Sequence, residues 1–289
     1  MKSLPSISSD PMIDRQDVDR YAQWFRTYAK GFYGDDGREW EACALKRRHT
    51  FRVMGEIGVL GKSLELSPED MNLARTMALF HDVGRFVQYA RFKTFVDAIS
   101  ADHGRLSVEV LREEYVLDDL SAQNRDLIMY CVEWHNKKEL PPDASPREKY
   151  FLRLLRDADK LDIWRVVTAH YNGRSEAPRE TVELGLPRTG KISPRVHAEI
   201  LAGGVVNSLD LKTAPDFMAL QMGWVFDLNL YKSFELLHKR AYLEKIARAL
   251  PPSREARQIY RKVRSYLDER LQGKQEPQAC SLTGGTNHE

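Results

Sequence analysis

The nine residues "ALFHDVGRF", from position 78 to position 86, place a histidine and an aspartate side by side at the end of an apolar stretch. Polar and charged side chains cost free energy when they are buried without partners. His81 and Asp82 therefore need a partner that the apolar residues around them do not supply. A metal ion is such a partner, because imidazole nitrogens and carboxylate oxygens are both metal ligands.

Four other residues of the same chemical types occur in predicted helices on either side of this pair. They are His49, His103, His135 and Asp159. Imidazole nitrogens together with carboxylate oxygens suit iron, manganese, zinc, nickel or cobalt. The sequence therefore predicts a centre for divalent metal ions that draws its ligands from several helices.

The two adjacent residues impose a geometric condition on such a centre. Neighbouring side chains on a helix point about 100° apart. His81 and Asp82 therefore share one centre only if it straddles the helix or if one carboxylate bridges two ions, and a bridging Asp82 meets this condition. The ligands of the first ion are then His49, His81, Asp82 and Asp159. Those of the second ion are Asp82, His103 and His135.

The composition is ordinary for a soluble globular protein. The chain has 289 residues, of which 42% are hydrophobic and 30% are charged. This length suits one or two domains and is sufficient for a substantial core. The formal net charge of +2 is close to balance, which gives no support for binding to nucleic acid or another polyanion.

The cysteines and the chain's hydrophobic stretches favour a reducing, aqueous compartment. The three cysteines, Cys43, Cys131 and Cys280, form no CxxC pair and are odd in number, so a disulfide framework is not expected. The first sixteen residues lack the apolar core of a signal peptide. No stretch approaches the ~20 apolar residues that span a bilayer. We expect a soluble cytoplasmic protein without a membrane partner.

Hydrophobic periodicity and capping signals predict helices along most of the chain. The predicted helices run over about 17–33, 39–60, 68–84, 102–115, 119–136 and 146–171. Ser67 and Ser145 are the expected N-caps of two of them. His81 and Asp82 then fall in the last turn of the third helix. Residues 89–104 lack a clean period and are expected to form a loop.

Residues 174–209 differ from the rest because they contain several prolines and glycines. We expect an irregular insert there, with a short strand in "TVELGLP" and a short helix beginning at "SPRVHAEIL", and we consider it a candidate lid. Helical periodicity returns over about 214–271, with a break at Pro251 and Pro252. The tail over 273–289 is expected to be disordered.

The order of the histidines and aspartates resembles the HD superfamily of metal-dependent phosphohydrolases, whose ligands follow the order H, then HD, then D. The strings "ALFHDVGR", "DHG", "EWHN" and "RDADKLD" also resemble family members and lie within residues 39–173. Because the family is all-helical, the resemblance implies an all-α fold with an HD-domain helical bundle over 39–173. An N-terminal helix over 1–38 precedes the bundle, and a helical C-terminal extension over 210–272 is expected to pack on its core.

The resemblance implies the same assignment of ligands. The residues that match the family's first metal site are His49, His81, Asp82 and Asp159. Asp157 and Asp162 lie close to Asp159, but the family pattern "ADKL" favours Asp159. The additional histidines, His103 and His135, resemble those of members with a two-metal centre. We therefore expect two divalent ions per chain, with iron or manganese favoured over nickel, cobalt, zinc or magnesium.

Two basic residues are candidates for contact with substrate. Arg85 resembles the lysine or arginine that contacts substrate phosphate in many HD proteins, and its guanidinium suits a phosphate. Its alternative is a surface arginine near a helix C-terminus. Lys160 follows Asp159 and could neutralise phosphate, and its alternative is a solvated helix residue. "KRR" at 46–48 is expected to form a solvated helix face, although one member could face the pocket.

The implied reaction is hydrolysis of a phosphoester or phosphoanhydride, with metal-activated water as the nucleophile and Asp82 and Arg85 in catalytic roles. A nucleotide is the expected small-molecule substrate. The GYP motif of the cyclic-dinucleotide branch is missing after His135, which disfavours cyclic di-GMP. Two alternatives remain at this stage: a non-catalytic HD module that binds metal or nucleotide and signals, and a di-iron oxygenase. The sequence does not give the oligomeric state.

Overall fold

The computed structural model describes residues 12–34, 36–37, 40–174 and 179–273. Within these ranges the chain forms α-helices, short 3₁₀ turns and loops, with no β-strand. The predicted all-α class is therefore confirmed. Residues 1–11 and the tail over 274–289, with Cys280 and His288, lie outside the described residues.

The chain divides into two compact units between Lys137 and Lys138. The helices of the first unit are α1 (Arg15–Ala29), α2 (Glu41–Ser63), α3 (Pro68–Phe80), α4 (Gly84–Phe92), α5 (His103–Glu113) and α6 (Ala122–Trp134). Helix α3 packs against α1, α2 and α6, while α5 packs between α4 and α6. A cluster of aromatic rings fills the core around Phe25, which contacts Phe51 and Phe86 edge to face. These contacts hold the helices that present the histidines.

The helices of the second unit are α7 (Pro146–Tyr171), α8 (Arg179–Val182), α9 (Pro194–Leu201), α10 (Ala214–Gly223), α11 (Tyr231–Lys239), α12 (Tyr242–Ala249) and α13 (Arg254–Gln272). Helix α7 packs against α11 and α12, and α13 packs against α9, α10, α11 and α12. The buried Trp164 ring donates its Nε1–H to the carbonyl of Gln221 at 2.8 Å. The carboxylate of Asp157 is fully buried and accepts the backbone N–H groups of Asn229 and Leu230.

Two of the helix starts follow the predicted capping chemistry. Ser67 accepts the N–H of Asp70 at the start of α3, and Ser145 accepts the N–H of Glu148 at the start of α7. The Glu148 carboxylate in turn accepts the backbone N–H of Ser145, which completes a capping box. Helix α7 spans Pro146–Tyr171, as the sequence predicts.

The helix boundaries predicted from the sequence are wrong around His81 and Asp82. The third helix is predicted to run to about residue 84, but α3 ends at Phe80, and α4 runs from Gly84 to Phe92, into the predicted loop over 89–104. The cause is Ser107, whose hydroxyl accepts the N–H of Gly84 at 2.9 Å. That N–H is then not available to the carbonyl of Phe80. His81 and Asp82 therefore lie in the turn that joins two helices.

The insert is also more helical than expected. The short strand predicted in "TVELGLP" is wrong, because the α8 helix Arg179–Val182 occupies its first residues. The helix predicted from "SPRVHAEIL" is present as α9, with Pro194 in its first turn. The role of the insert as a lid stays a prediction.

Candidate metal centre

Five of the six predicted ligands lie in the first unit, and each of them is buried. They are His49, His81, Asp82, His103 and His135, with relative exposures of 4%, 0%, 3%, 6% and 6%. They come from the middle of α2, the turn after α3, the first residue of α5 and the C-cap residue that follows α6. Burial of five titratable side chains at one place needs compensation.

The two carboxylate oxygens of Asp82 face different histidine pairs. Oδ2 lies 3.6 Å from Nε2 of both His49 and His81. Oδ1 lies 3.6 Å from Nε2 of His103 and 3.9 Å from Nε2 of His135. One carboxylate therefore stands between two pairs of imidazoles, which is the arrangement that a bridging ligand requires.

The hydrogen bonds of three histidines fix which ring nitrogen points into the centre. Nδ1 of His81 lies 2.8 Å from the carbonyl of Ala78, and Nδ1 of His135 lies 2.7 Å from the carbonyl of Val132. Nδ1 of His103 lies 2.5 Å from a carboxylate oxygen of Asp97. These oxygens only accept, so each Nδ1 carries the hydrogen, and Nε2 of the neutral ring carries a lone pair.

The facing nitrogens have a spacing that fits a metal ion. Nε2 of His103 and Nε2 of His135 are 3.2 Å apart, and Nε2 of His49 and Nε2 of His81 are 3.3 Å apart. Two nitrogens that bind one ion at about 2.0–2.1 Å are separated by roughly 2.9–3.4 Å. The lone pairs on Nε2 of His103 and Nε2 of His135 face each other and repel, and a cation between them removes that repulsion. The side chains therefore fit divalent metal ions.

Residues 47–164 of the chain match the HD domain family. The ligand atoms of His81, Asp82 and His135 also lie within 4.8 Å of one another, close enough for this group to hold a metal ion. The chain carries an HD domain. Comparison with curated proteins and with solved structures gives no match to the chain.

HD domains bind divalent metal ions, and the histidine and aspartate groups of this one could hold such ions. The HD domain family consists largely of metal-dependent hydrolases. Among the residues that the structure describes, no helix combines the length and the apolar character needed to cross a membrane.

The charge of Asp82 is maintained by basic groups around it. Burial opposes ionisation, but Lys46 and three further groups hold the pKa of the Asp82 carboxyl well below its usual range. Those three groups are His81, Arg85 and His103. Burial, together with the charge of Arg85, lowers the pKa of His103, which favours a neutral ring. An ionised Asp82 carboxylate beside a neutral His103 ring favours binding of a metal ion.

Asp97 is an outer partner of the centre, and the sequence placed it only in a loop beside the site. Its Oδ2 accepts Nδ1–H of His103, and its Oδ1 accepts bonds from Arg85 at 2.9 Å and Gln88 at 2.8 Å. Burial opposes ionisation of Asp97, but the bond from His103 and the nearby positive charges lower its pKa below the ordinary value. A carboxylate behind a metal-binding histidine orients the ring and raises its basicity.

Arg85 is held firmly at the start of α4. Its NH1 donates to the carbonyl of Phe95 at 2.7 Å and to Oδ1 of Asp97 at 2.9 Å. Its Nε lies 3.5 Å from Oδ1 of Asp82, and the side chain is 12% exposed. The alternative of a surface arginine near a helix C-terminus is therefore wrong. Its contact with substrate stays a prediction.

Lys46 is the member of "KRR" that faces the centre. Its Nζ lies 2.8 Å from Oδ2 of Asp82, and its side chain is 18% exposed. Lys46 precedes His49 by three residues on α2, so the two side chains share a face of that helix. Of the two possibilities for this segment, a solvated face or one member that faces the pocket, the position of Lys46 agrees with the second, whereas Arg48 is exposed.

Asp159 and Lys160 lie in α7 of the second unit. Asp159 is half-buried, and its role as a metal ligand stays a prediction. Lys160 is buried, and its Nζ lies 2.8 Å from Oδ2 of Asp227, which also accepts a bond from Arg156. The alternative of a solvated lysine is wrong. The ion pair gives Lys160 a role in packing, and its contact with substrate stays a prediction.

Two glycines next to the ligands allow close approach of helices. A Cβ on Gly84 would lie 2.4 Å from the backbone nitrogen of Ser107, and a Cβ on Gly104 would lie 2.5 Å from the carbonyl oxygen of Glu133. The glycines of "HDVG" and "DHG" therefore permit α4 to meet α5 and α5 to meet α6. Sequence reasoning used both strings as family signatures but missed this steric role, which appears only when the helices are packed.

Proposed function

We propose that the chain is a phosphohydrolase that uses two divalent metal ions to cleave a phosphoester or phosphoanhydride bond of a nucleotide. The observation that carries the proposal is the position of Asp82, whose two oxygens face two separate pairs of imidazole nitrogens. Membership of a family of largely metal-dependent hydrolases supports the reaction class. The resemblance of the ligand pattern to two-metal members supports the number of ions.

The geometry of the first unit supports a division of the ligands between two ions. His49, His81 and Oδ2 of Asp82 would hold the first ion. His103, His135 and Oδ1 of Asp82 would hold the second. The sequence order adds Asp159 to the first set as a prediction. Imidazole and carboxylate ligands favour iron or manganese, while nickel, cobalt, zinc and magnesium remain candidates.

The chain's own residues have distinct tasks in this proposal. Bound divalent ions would lower the pKa of a water molecule and neutralise charge on the phosphoryl oxygens. Asp82 would hold both ions through its ionised carboxylate. Asp97 keeps Nδ1 of His103 protonated and thereby directs Nε2 into the centre. Arg85, held in place by Asp97 and Phe95, directs positive charge toward the phosphoryl group.

The experiment is a measurement of phosphate release from a panel of nucleotides, with the full chain loaded with Mn²⁺ or Fe²⁺. We expect turnover of at least one nucleotide by the wild-type chain. In Asp82→Asn the rate of phosphate release should fall by more than about a hundredfold, because loss of a residue that only supports a metal ligand already lowers metal affinity or activity by about 10–100-fold. Asp126→Asn is the matched control, because Asp126 is an exposed aspartate on α6 with 77% of its side chain accessible.

Three results would contradict the proposal. Stable metal binding without turnover of any phosphorylated compound would indicate a binding and signalling module. Oxygen-dependent conversion of a substrate, with an electron paramagnetic resonance signal from mixed-valence iron, would indicate a di-iron oxygenase. Equal phosphate release by wild type and Asp82→Asn would assign the activity to a contaminant or to another site.

A further inference from the structure

We propose that Lys46 is a phosphate-binding residue of this centre, which exchanges Asp82 for the substrate's phosphoryl group when metal ions bind. The inference rests on the proposed function, because it requires divalent ions at Asp82. It adds a residue outside the H, HD and D motif to the set that recognises substrate. Three observations about Lys46 lead to it: its contact, its neighbours and its access to solvent.

The contact of Lys46 is with the oxygen that the first ion needs. Its Nζ lies 2.8 Å from Oδ2 of Asp82, and Nε2 of His49 and of His81 each lie 3.6 Å from the same oxygen. The ammonium group therefore balances the buried carboxylate on the side where the two imidazoles converge. A divalent ion held by those three groups would repel a positive charge at this position.

Lys46 and Arg85 are two basic side chains that lie against the same aromatic ring, that of Phe95. Nζ of Lys46 and the guanidinium carbon of Arg85 each lie 5.5 Å from the ring centroid of Phe95. Lys46 faces Oδ2 of Asp82 and Arg85 faces Oδ1, so one basic group stands beside each half of the centre. A phosphoryl group that spans two ions has oxygens directed toward both halves, and it can accept bonds from both basic groups.

The two basic groups differ in how they are held. NH1 of Arg85 is fixed by Asp97, Gln88 and the carbonyl of Phe95. Lys46 is held through the Asp82 carboxylate, and 18% of its flexible side chain is exposed to solvent. When an ion takes Oδ2, Lys46 can move while Arg85 stays in place. The anion nearest to the displaced ammonium would be the phosphoryl group on the metal ions.

This exchange has two measurable consequences of opposite sign. Lys46 competes with the first ion for Asp82, so removing its charge should strengthen metal binding in the absence of phosphate. Lys46 donates a charge-assisted hydrogen bond to phosphate, so removing its charge should weaken phosphate binding to the metal-loaded protein. A lysine that merely stabilised the fold would produce neither the first effect nor the combination.

The test is a calorimetric titration of the full chain, stripped by chelator, with Mn²⁺ alone and then with inorganic phosphate after loading. The variants are Lys46→Met, Lys46→Gln and Lys46→Arg, with Arg48→Met as the matched control because Arg48 is an exposed basic residue of the same helix. We expect Lys46→Met to bind phosphate about 10–100-fold more weakly, the usual range for a lost bond to a charged group. We expect the same variant to bind Mn²⁺ more tightly than wild type.

Each outcome decides the inference. Lys46→Arg should keep most of the phosphate affinity, and Arg48→Met should match wild type. If Lys46→Met does not fold, Lys46→Gln answers the question, because it lacks the charge but keeps an N–H donor for Asp82. Wild-type metal and phosphate affinities in a folded neutral variant would overturn the inference and leave the proposed function standing. A wild-type chain that binds no Mn²⁺ would overturn both.

Discussion

At the scale of residues, the centre is defined by the distribution of hydrogens on its imidazole rings. Backbone carbonyls of Ala78 and Val132 and the carboxylate of Asp97 each occupy one Nδ1. The Nε2 lone pairs are thereby directed inward, where Asp82 adds a negative charge. Nitrogen lone pairs that converge on a buried carboxylate are the features of a cation-binding site.

Removal of the Asp97 carboxylate should weaken binding of the second ion more than binding of the first. Asp97→Ala leaves Nδ1 of His103 without its carboxylate, so the ring loses orientation and basicity. We expect the affinity for the second ion to fall by about 10–100-fold. Mn²⁺ titration followed by elemental analysis measures the loss, with Asp126→Asn as the control. If Asp97→Ala bound each of the two ions as tightly as wild type does, this role of Asp97 would be contradicted.

A second residue-scale prediction concerns Glu183 in the second unit. Its buried carboxylate accepts bonds from His170, Arg179 and Arg188. Burial raises the pKa of Glu183, but the bonds from Arg188, Arg179 and His170, in that order, outweigh it and lower the pKa to about 2. A lowered pKa means that the stabilisation is present above the ordinary pKa of 4.5 and is lost as the pH falls toward 2.

We therefore expect Glu183→Gln to reduce the free energy of unfolding at pH 7 and to differ progressively less from wild type below pH 4.5. Urea denaturation of both proteins at several pH values measures this difference. Glu199→Gln, at an exposed position of α9, provides the control. A difference that does not change between neutral and acidic pH would show that the charge of Glu183 does not contribute.

At the scale of elements, the HD turn depends on the contact between α4 and α5. The Ser107 hydroxyl accepts the N–H of Gly84 and lies within 2.9 Å of the carbonyls of His81 and His103. One side chain therefore connects the two segments that supply ligands to opposite sides of Asp82. The glycine allows the helices to approach closely enough for this contact to form.

Substitution of this glycine tests the contact. In Gly84→Ala the new Cβ would lie within 2.4–2.8 Å of backbone atoms of α5, which cannot rotate away. We expect a loss of about 1–3 kcal/mol in the free energy of unfolding, the usual cost of overpacking, together with weaker metal binding. Gly55→Ala is the control, because a Cβ at this helical position meets nothing within 4 Å. That change should stabilise the protein by about 0.5–1 kcal/mol.

Chemical unfolding of both variants and metal titration provide the measurement. If Gly84→Ala were as stable as Gly55→Ala and bound metal normally, the close approach of α4 and α5 would not be required for the centre.

The elements that were predictable from the sequence are those with local signals. Ser67 and Ser145 mark helix starts through their own side chains, and α7 follows from its cap and its apolar period. The start of α4 depends on Ser107, which is 23 residues away in the chain. No local pattern reports such a bond, so the sequence extends the third helix through His81 and Asp82 and predicts a loop over 89–104, where α4 still continues to Phe92.

The candidate site shows the same limit. The spacing of histidines and aspartates indicates ligand types, and the family order separates Asp159 from its neighbours. Lys46 and Asp97 belong to no recognisable sequence motif. Their importance follows from the contact of Lys46 with Asp82 and that of Asp97 with His103, which form only in the folded unit. Lys160 likewise gave no sign of its buried ion pair with Asp227, which lies in a distant part of the sequence.

At the scale of the whole molecule, the HD match continues past the division between the two compact units. The first unit contains five predicted ligands, and the second contains Asp159 within a helix that packs on α11 and α12. The C-terminal helices thus stabilise the helix that carries the last residue of the motif. All the ligands proposed for the second ion, Asp82, His103 and His135, lie in the first unit.

The most direct test of the account is elemental analysis of the full chain purified without chelator, wild type beside the double variant His103→Ala and His135→Ala. We predict about two equivalents of iron or manganese in wild type and about one in the double variant, because a bridging carboxylate with two histidine pairs provides two sites. Equal metal content in the two proteins would contradict the two-ion centre. A wild-type chain that holds no metal and takes up none when Mn²⁺ is added would contradict the account as a whole.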